Sequence, residues 1–362
     1  MKILYISPEN TVGTLSTWKD FHRSKGNDCD FITFYKTPNN FDSGLCLNLP
    51  FISSNQLYRN IRSAHYKIIS KSKNEYSPKL GYPPTWQPNS VLEKIYFPLR
   101  DFMWSFKIEP AIKKYNLLNY DIYHFEWGLD FYRNCGFSKK LKSKNKIIIC
   151  TYHGQDMRTR GVLKKLDTLS HLNLTSELDL LSKHPNLNYM FLPINVSPNL
   201  KLKKTSNKIK ICHSPTNRYY KGSNKIINHF KEITKKNKNV EFILIENMAH
   251  DKVIEIKKSC DILIDQIGDS GGWGYGMNSI EAMALGLCCM TQMNATCNKF
   301  FENHPFININ ETNLIEKLDH LILNPIIIDE YKNKSIEWVK TKHDIKNVGM
   351  LLYENYDRLL NG

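Results

Sequence analysis

Apolar residues along the chain fall into short unbroken runs separated by stretches of helical spacing. In the first half the runs at 2–7 (KILYIS), 30–35 (DFITFY), 121–127 (DIYHFEW), 146–153 (KIIICTYH), 172–176 (LNLTS) and 189–193 (YMFLP) read as strands. Helices are expected at 15–23, 54–73, 92–115 and near 129–142, where apolar residues recur every three to four positions, as in Leu92, Ile95, Leu99, Phe102 and Phe106. The second half keeps the rhythm, with strands at 208–215, 240–246, 261–266 and 287–291 and helices at 223–236, 251–259 and 277–285. The tail, 329–361, reads as amphipathic helix anchored by Trp338, Val348, Leu351, Leu352 and Tyr356.

Strands rich in Ile, Val and Leu on both faces belong in a parallel sheet covered by helices. Repeated β-α-β units therefore predict an α/β protein of two doubly wound, Rossmann-like domains facing a cleft. The segment LPINVSPN (192–199), with two prolines and two asparagines, suits a junction. The expected division is 1–195, 196–340, and a C-terminal helix at 341–362.

Composition adds limits. The 362 residues are 41% hydrophobic and 23% charged, as in soluble globular proteins. No apolar run reaches the roughly 18 residues of a membrane span. The opening MKILYISPEN reads as a first strand rather than a secretory signal, so a cytoplasmic protein is expected. Nine cysteines without a C-x-x-C pattern, Cys150, Cys212 and Cys260 among them, read as small buried hydrophobes. The formal charge is +15, and residues 1–193 hold 27 Lys and Arg against 16 Asp and Glu. Such a surface favours phosphorylated substrates, anionic headgroups or nucleic acid. A lysine-rich surface with no special partner is the plain alternative.

In open α/β sheets ligands bind beyond the carboxyl ends of the strands, so polar residues that follow strands matter most. HSPTNRYYKG (213–222) places Arg218 and Lys221 three apart at the mouth of a helix. An arginine fork, a lysine point charge and helix N-terminal amides make a pyrophosphate site. GWGYGMNSIEAMALG (272–286) follows another strand through a glycine-rich loop, and Glu281 lies one turn inside its helix. A carboxylate there can accept two hydrogen bonds from a ribose diol. Alternatively it faces solvent or meets a basic partner, since a buried unpaired carboxylate is costly. TYHGQDMRTRG (151–161) offers His153, Asp156 and Arg158, and YHFEW (123–127) offers His124 and Glu126, for sugar hydroxyls or proton transfer. Walker A, G-x-G-x-x-G, G-x-S-x-G and metal-ligand spacings are absent.

HSPTNRYYKG, EFILIENMAH (241–250), CDILIDQ and GYGMNSIEAMALG together resemble the donor domain of GT-B glycosyltransferases, specifically the retaining, family-four-like group (glycosyl transferases group 1). KILYISPE, YHFEWG and TYHGQDMR resemble strand ends of its acceptor domain. The likeness is strongest from 208 to 291. It implies a retaining, metal-independent transferase of the hexosyltransferase type, with a UDP- or GDP-sugar as co-substrate and no cofactor. Arg218 and Lys221 would contact the diphosphate, as would the amides around Gly276, Met277 and Asn278, and Glu281 would take the ribose. Trp273, Tyr275, Ser279 and Glu246 complete the expected donor side. His153 would lie near the transferred sugar, with Gly13, Thr14, Asp156 and Arg158 toward the acceptor, and the C-terminal helix, 341–362, would pack back on the first domain. One position departs from the pattern: Trp273 stands eight residues before Glu281, where the family often carries an acid that binds the donor sugar.

The expected acceptor is a saccharide or lipid-linked glycan, with peripheral contact to an anionic membrane. Two alternatives stand beside it. One is transfer to modified bases in DNA; the other is a catalytically silent relative that binds nucleotide sugars.

Overall fold

A computed structural model of the chain describes every residue except 38, 39, 51–82, 89, 155, 199, 201 and 362. The helix expected at 54–73 lies outside the described residues. The chain divides into two compact units, Met1–Met190 with Tyr356–Gly362, and Phe191–Asn355. Residues 341–355 therefore belong to the second unit, and the return to the first comes at Tyr356.

The first unit contains β1 (Lys2–Ser7), α1 (Thr14–Ser24), β2 (Asp28–Thr33), β3 (Leu45–Cys46), α2 (Val91–Lys114), β4 (Ile122–Glu126), α3 (Gly136–Lys142), β5 (Ile147–Tyr152), α4 (Lys164–Leu169), β6 (Leu172–Thr175) and β7 (Leu187–Tyr189). Its strands form one seven-stranded parallel sheet in the order β3-β2-β1-β4-β5-β6-β7. The two-residue strand β3 was too short to show in the apolar pattern. Strand β2 ends at Thr33 because the Phe34 and Tyr35 amides turn to the Pro8 carbonyl. Helix α3 starts at Gly136, later than expected. The buried Asp130 carboxylate takes the Tyr132 and Ser138 amides and holds the preceding residues as a loop.

The second unit contains β8 (Ile209–His213), α5 (Arg218–Lys221), α6 (Ser223–Lys236), β9 (Val240–Leu244), α7 (His250–Lys258), β10 (Ile262–Ile264), α8 (Met277–Ala284), β11 (Cys288–Thr291), α9 (Ala295–Phe300), β12 (Ile307–Asn308), α10 (Leu314–Leu323), α11 (Pro325–Lys342) and α12 (Ile345–Asn361), the last running on into the first unit. Its five strands are parallel in the order β12-β11-β10-β8-β9. The tail is two helices, not one. The His343 ring bonds to the Leu192 carbonyl and Asp344 pairs with Ile194, which ends α11 and restarts the chain as α12.

Each sheet has its own core. Leu4, Ile6, Ile32, Phe125 and Ile148 are fully buried in the first, against Trp104, Ile108 and Ile112 of α2. Ile211, Ile262, Ile264 and Met290 are buried in the second, against Ile226 and Phe230 of α6. Each such side chain contributes roughly 1.5–3 kcal/mol of burial. Cys150, Cys212 and Cys260 are buried among them as small hydrophobes. The strand orders place a change of winding direction between β1 and β4 in one sheet and between β8 and β10 in the other. Ligands of doubly wound sheets bind at such points, beyond the carboxyl ends of the strands.

Candidate functional site

At the β8/β10 end of the second sheet, Asp265 joins two segments. It directly follows β10, is completely buried, and accepts hydrogen bonds from Lys221 Nζ (2.8 Å), Asn278 Nδ2 (2.7 Å) and Ser279 Oγ (2.7 Å). Burial alone would raise its pKa, but Lys221 and the Asn278 and Ser279 bonds outweigh that and hold the carboxyl below its usual range. One carboxylate therefore ties the turn after β8 to the first turn of α8. Gly222 makes the approach possible. It has φ of 62°, and a Cβ there would collide with the Ile267 carbonyl oxygen, while the Ile267 amide bonds to the Lys221 carbonyl at 3.1 Å. His213, buried at the end of β8, bonds through Nδ1 to the Ile264 carbonyl (2.8 Å) and through Nε2 to Ser223 Oγ (2.7 Å), fixing the start of α6.

The loop between β10 and α8 is stitched to its surroundings. Gln266 Nε2 reaches the Gly272 carbonyl (3.2 Å), Gln292 takes the Gly268 amide (2.9 Å), and Thr291 Oγ1 donates to the Gly274 carbonyl (2.8 Å). The loop delivers Gly276 as the N-cap of α8, where no side chain caps the helix. The N–H groups of Met277 and Asn278 thus start a helix whose N-cap residue offers no side-chain cap to its positive end.

Glu281, one turn further on, meets basic partners. It accepts from His250 Nε2 at 2.7 Å and Lys257 Nζ at 2.8 Å, both on α7. The Lys257 side chain is only 1% exposed, so this is a buried pair. Burial pushes the Glu281 carboxyl up, and His250 and Lys257 outweigh it to hold the acid ionised. Arg218 is half exposed and forks onto Glu246 at 2.7 and 2.5 Å. The cations Arg218, Lys221 and Lys257 each face an acid, Glu246, Asp265 and Glu281 respectively.

Two residues placed on the donor side have other work. Ser279 is completely buried with its hydroxyl given to Asp265. Tyr275 packs among Phe301, Phe306 and Trp338 and contacts His343 Nε2 at 3.1 Å, which anchors the loop from behind. Trp273 is half-buried in the loop itself.

In the first unit, β4 and β5 are neighbours, so the residues at their ends meet. His153 Nε2 lies 2.5 Å from Glu126 Oε2. Burial would lower the imidazole pKa, but Glu126, with help from Asp156 and Glu177, raises it above the ordinary value. The Trp127 ring lies 5.5 Å from that of His153. Trp127 has φ of 62°, a left-handed conformation that is strained for a bulky residue. Arg160 holds it there through the Trp127 carbonyl at 2.5 Å.

Asp156 and Arg158, expected toward the acceptor, both make hydrogen bonds within the first unit. The Asp156 carboxylate is buried and takes the amides of His153, Gly154 and Met157. Arg158 is engaged by Asp179 at 2.8 Å and Glu177 at 2.6 Å. Together they shape the π-helical turn Asp156–Arg160 that follows His153. Gly13, with φ of 75°, caps α1 ahead of Thr14 at the end of the neighbouring strand β1.

Sequence reasoning passed over Asp265, His250, Lys257 and Trp127. The acid closing the β10 run was a usable signal, because acids seldom end a buried strand without a partner. Among the described residues no group of three or more His, Cys, Asp or Glu side chains is arranged to hold a metal ion. None of their helices is long and apolar enough to cross a membrane.

No family model and no curated protein matches the chain by sequence. Solved structures do match over its whole length. A TarM mutant of S. aureus, in complex with Fondaparinux, alpha-GlcNAc-glycerol and UDP, is 12% identical with a TM-score of 0.60, covering 100% of both chains. An alpha-glucosyltransferase in complex with UDP and a 13-mer DNA is 10% identical with a TM-score of 0.59, covering 99% of both. A putative UDP-N-acetylglucosamine 2-epimerase from Listeria monocytogenes is 10% identical with a TM-score of 0.51, covering 100% of this chain and 98% of its own. The chain has the GT-B fold, with parallel sheets of seven and five strands flanked by helices.

Proposed function

We propose that the chain is a retaining glycosyltransferase whose second unit holds a nucleotide diphosphate sugar. One observation carries the reading: through Asp265, Lys221 is tied to the first turn of α8, whose N-terminus has no side-chain cap and whose next turn bears Glu281. The diphosphate sits on the Gly276, Met277 and Asn278 amides, with Arg218 leaving Glu246 to meet it and Lys221 donating its remaining proton. These groups stabilise the charge that grows on the leaving phosphate. Glu281, oriented by His250 and Lys257, accepts the ribose diol. Trp273 takes the place of the missing sugar-binding acid and stacks on the donor sugar, with Asp269 or backbone amides supplying polar contacts. UDP in two of the similar structures supports UDP as the nucleotide.

In the first unit the Glu126–His153 pair takes a sugar hydroxyl, with the Trp127 ring beside it. The acceptor is a saccharide or lipid-linked glycan. The DNA-bound neighbour keeps DNA as a second acceptor class. Metal-independent chemistry is part of the proposal, because the cations and helix amides supply the positive field.

The test is a melting-temperature screen with UDP, GDP, ADP, CMP and their sugars, followed by assay of free nucleoside diphosphate. A diphosphate nucleotide is expected to raise the melting temperature, and its sugar to be turned over. Binding without release of nucleoside diphosphate establishes the silent relative instead. Release of free sugar epimer with UDP establishes an epimerase.

A further inference from the structure

Helix α2 is apolar on both faces. Its inner face buries Trp104, Ile108, Ala111 and Ile112. Its outer face carries Leu92, Ile95, Leu99, Phe102 and Phe106, each more than half exposed. Their spacing of three and four residues puts them on one stripe about 21 Å long. An outward helix face is normally polar, and a contiguous apolar stripe of this size marks an interaction surface.

Lysines border the stripe. Lys94, Lys107, Lys113 and Lys114 of α2 are exposed, and so are Lys139, Lys140, Lys142 and Lys144 in and just after α3. An ion pair between Lys140 and Glu109 (3.5 Å) brings the second group beside α2. We propose that this stripe seats the protein in the interfacial layer of a bilayer containing anionic lipid, with the lysines against the headgroups.

Charge complementarity selects this occupant. The apolar stripe alone would suit any apolar partner. Its basic border, on a half of the chain with 27 Lys and Arg against 16 Asp and Glu, sets it against a second copy of the same basic surface. Nucleic acid would meet five apolar side chains where it needs donors. An anionic bilayer satisfies both parts, since apolar insertion and a basic patch together give the two signals that stable peripheral binding requires. Each lysine near the surface strengthens partitioning about fivefold. The helix lies on the membrane and does not span it. The inference stands apart from the proposed donor binding, which concerns the other unit.

The test is flotation of the full chain with vesicles of phosphatidylcholine, with and without about one-third phosphatidylglycerol. Capture by the anionic vesicles is expected to exceed capture by neutral ones at least about tenfold. The pair Phe102→Asp and Phe106→Asp should abolish capture, and Lys113→Glu with Lys114→Glu should remove the preference for anionic lipid. Both variants alter exposed side chains, so melting temperature and UDP binding should not change. Equal capture of wild type and the Phe102→Asp, Phe106→Asp variant overturns the proposal, as does failure of anionic vesicles to capture the wild type. A wild-type dimer in sedimentation that the same variant dissolves overturns it too, and makes a second copy the occupant.

Discussion

Replacing Asp265 with Asn changes one atom and removes the charge that joins the two halves of the donor site. Asp265 is fully buried and accepts from Lys221, Asn278 and Ser279. Removing one partner of a buried ion pair costs about 3–5 kcal/mol. Two features move the expectation to the low end, about 3 kcal/mol. The Lys221 side chain keeps 17% exposure and so some hydration, and the Ser279 hydroxyl can reverse to accept from the new amide. Urea unfolding at neutral pH should show this loss with an unchanged slope. The Asp265 carboxyl is held below its usual range, so its contribution is present above the unfolded value near pH 4 and fades as pH falls through the folded value. The wild-type and Asp265→Asn stability curves should therefore converge in acid. Calorimetry should show UDP binding weakened about tenfold, or ~1.4 kcal/mol, as Lys221 and the α8 N-terminus lose their common anchor. A stability change under about 1 kcal/mol with unaltered UDP affinity would refute the reasoning.

Three further outcomes follow from the same geometry. Glu281→Ala strands Lys257, only 1% exposed, so stability should fall by about 3–5 kcal/mol; wild type should also prefer UDP over its 2′,3′-dideoxy analogue while folded Glu281→Ala does not, and equal wild-type affinities would remove the ribose role. Arg218→Ala should leave the melting temperature unchanged, because the side chain is 51% exposed, yet cut donor turnover at least about tenfold; full turnover would take Arg218 out of the mechanism. Burial holds His22 and His343 neutral, with pKa near 4 against an ordinary 6.5. The unfolded chain therefore binds more protons between those values, and stability should drop as pH falls from about 6.5 to 4, on the order of 3 kcal/mol per histidine. A flat stability profile across that window would contradict both burials.

The sheets were legible because buried parallel strands leave unbroken apolar runs, and nine of the ten runs fall on strands; the tenth, YMFLP (189–193), meets β7 (Leu187–Tyr189) only at Tyr189, in a short strand that is only partly buried. Strands β3 (Leu45–Cys46) and β12 (Ile307–Asn308) were not, since two residues make no pattern. Element ends moved where a single side chain intervened, as Asp130 does before α3 and His343 after α11. In the site, residue types were readable but their partners were not. Glu281 looked poised for a ligand, and nothing local to 272–286 announces that His250 and Lys257 approach from another helix. Asp156 and Arg158 looked like ligand contacts because polar residues after strands often are. Only the three-dimensional arrangement shows Asp156 bonded to the amides of the loop that carries His153 and Arg158 bonded to Glu177 and Asp179.

The central claim is that the β8/β10 end of the second sheet cradles a nucleoside diphosphate, and a crystal structure of the chain with UDP tests it most directly. The account predicts the diphosphate on the Gly276, Met277 and Asn278 amides, Arg218 turned from Glu246 to a phosphate oxygen, and the ribose hydroxyls on Glu281. UDP bound at any other place, with Arg218 still forked onto Glu246 and Glu281 bonded only to His250 and Lys257, would contradict it.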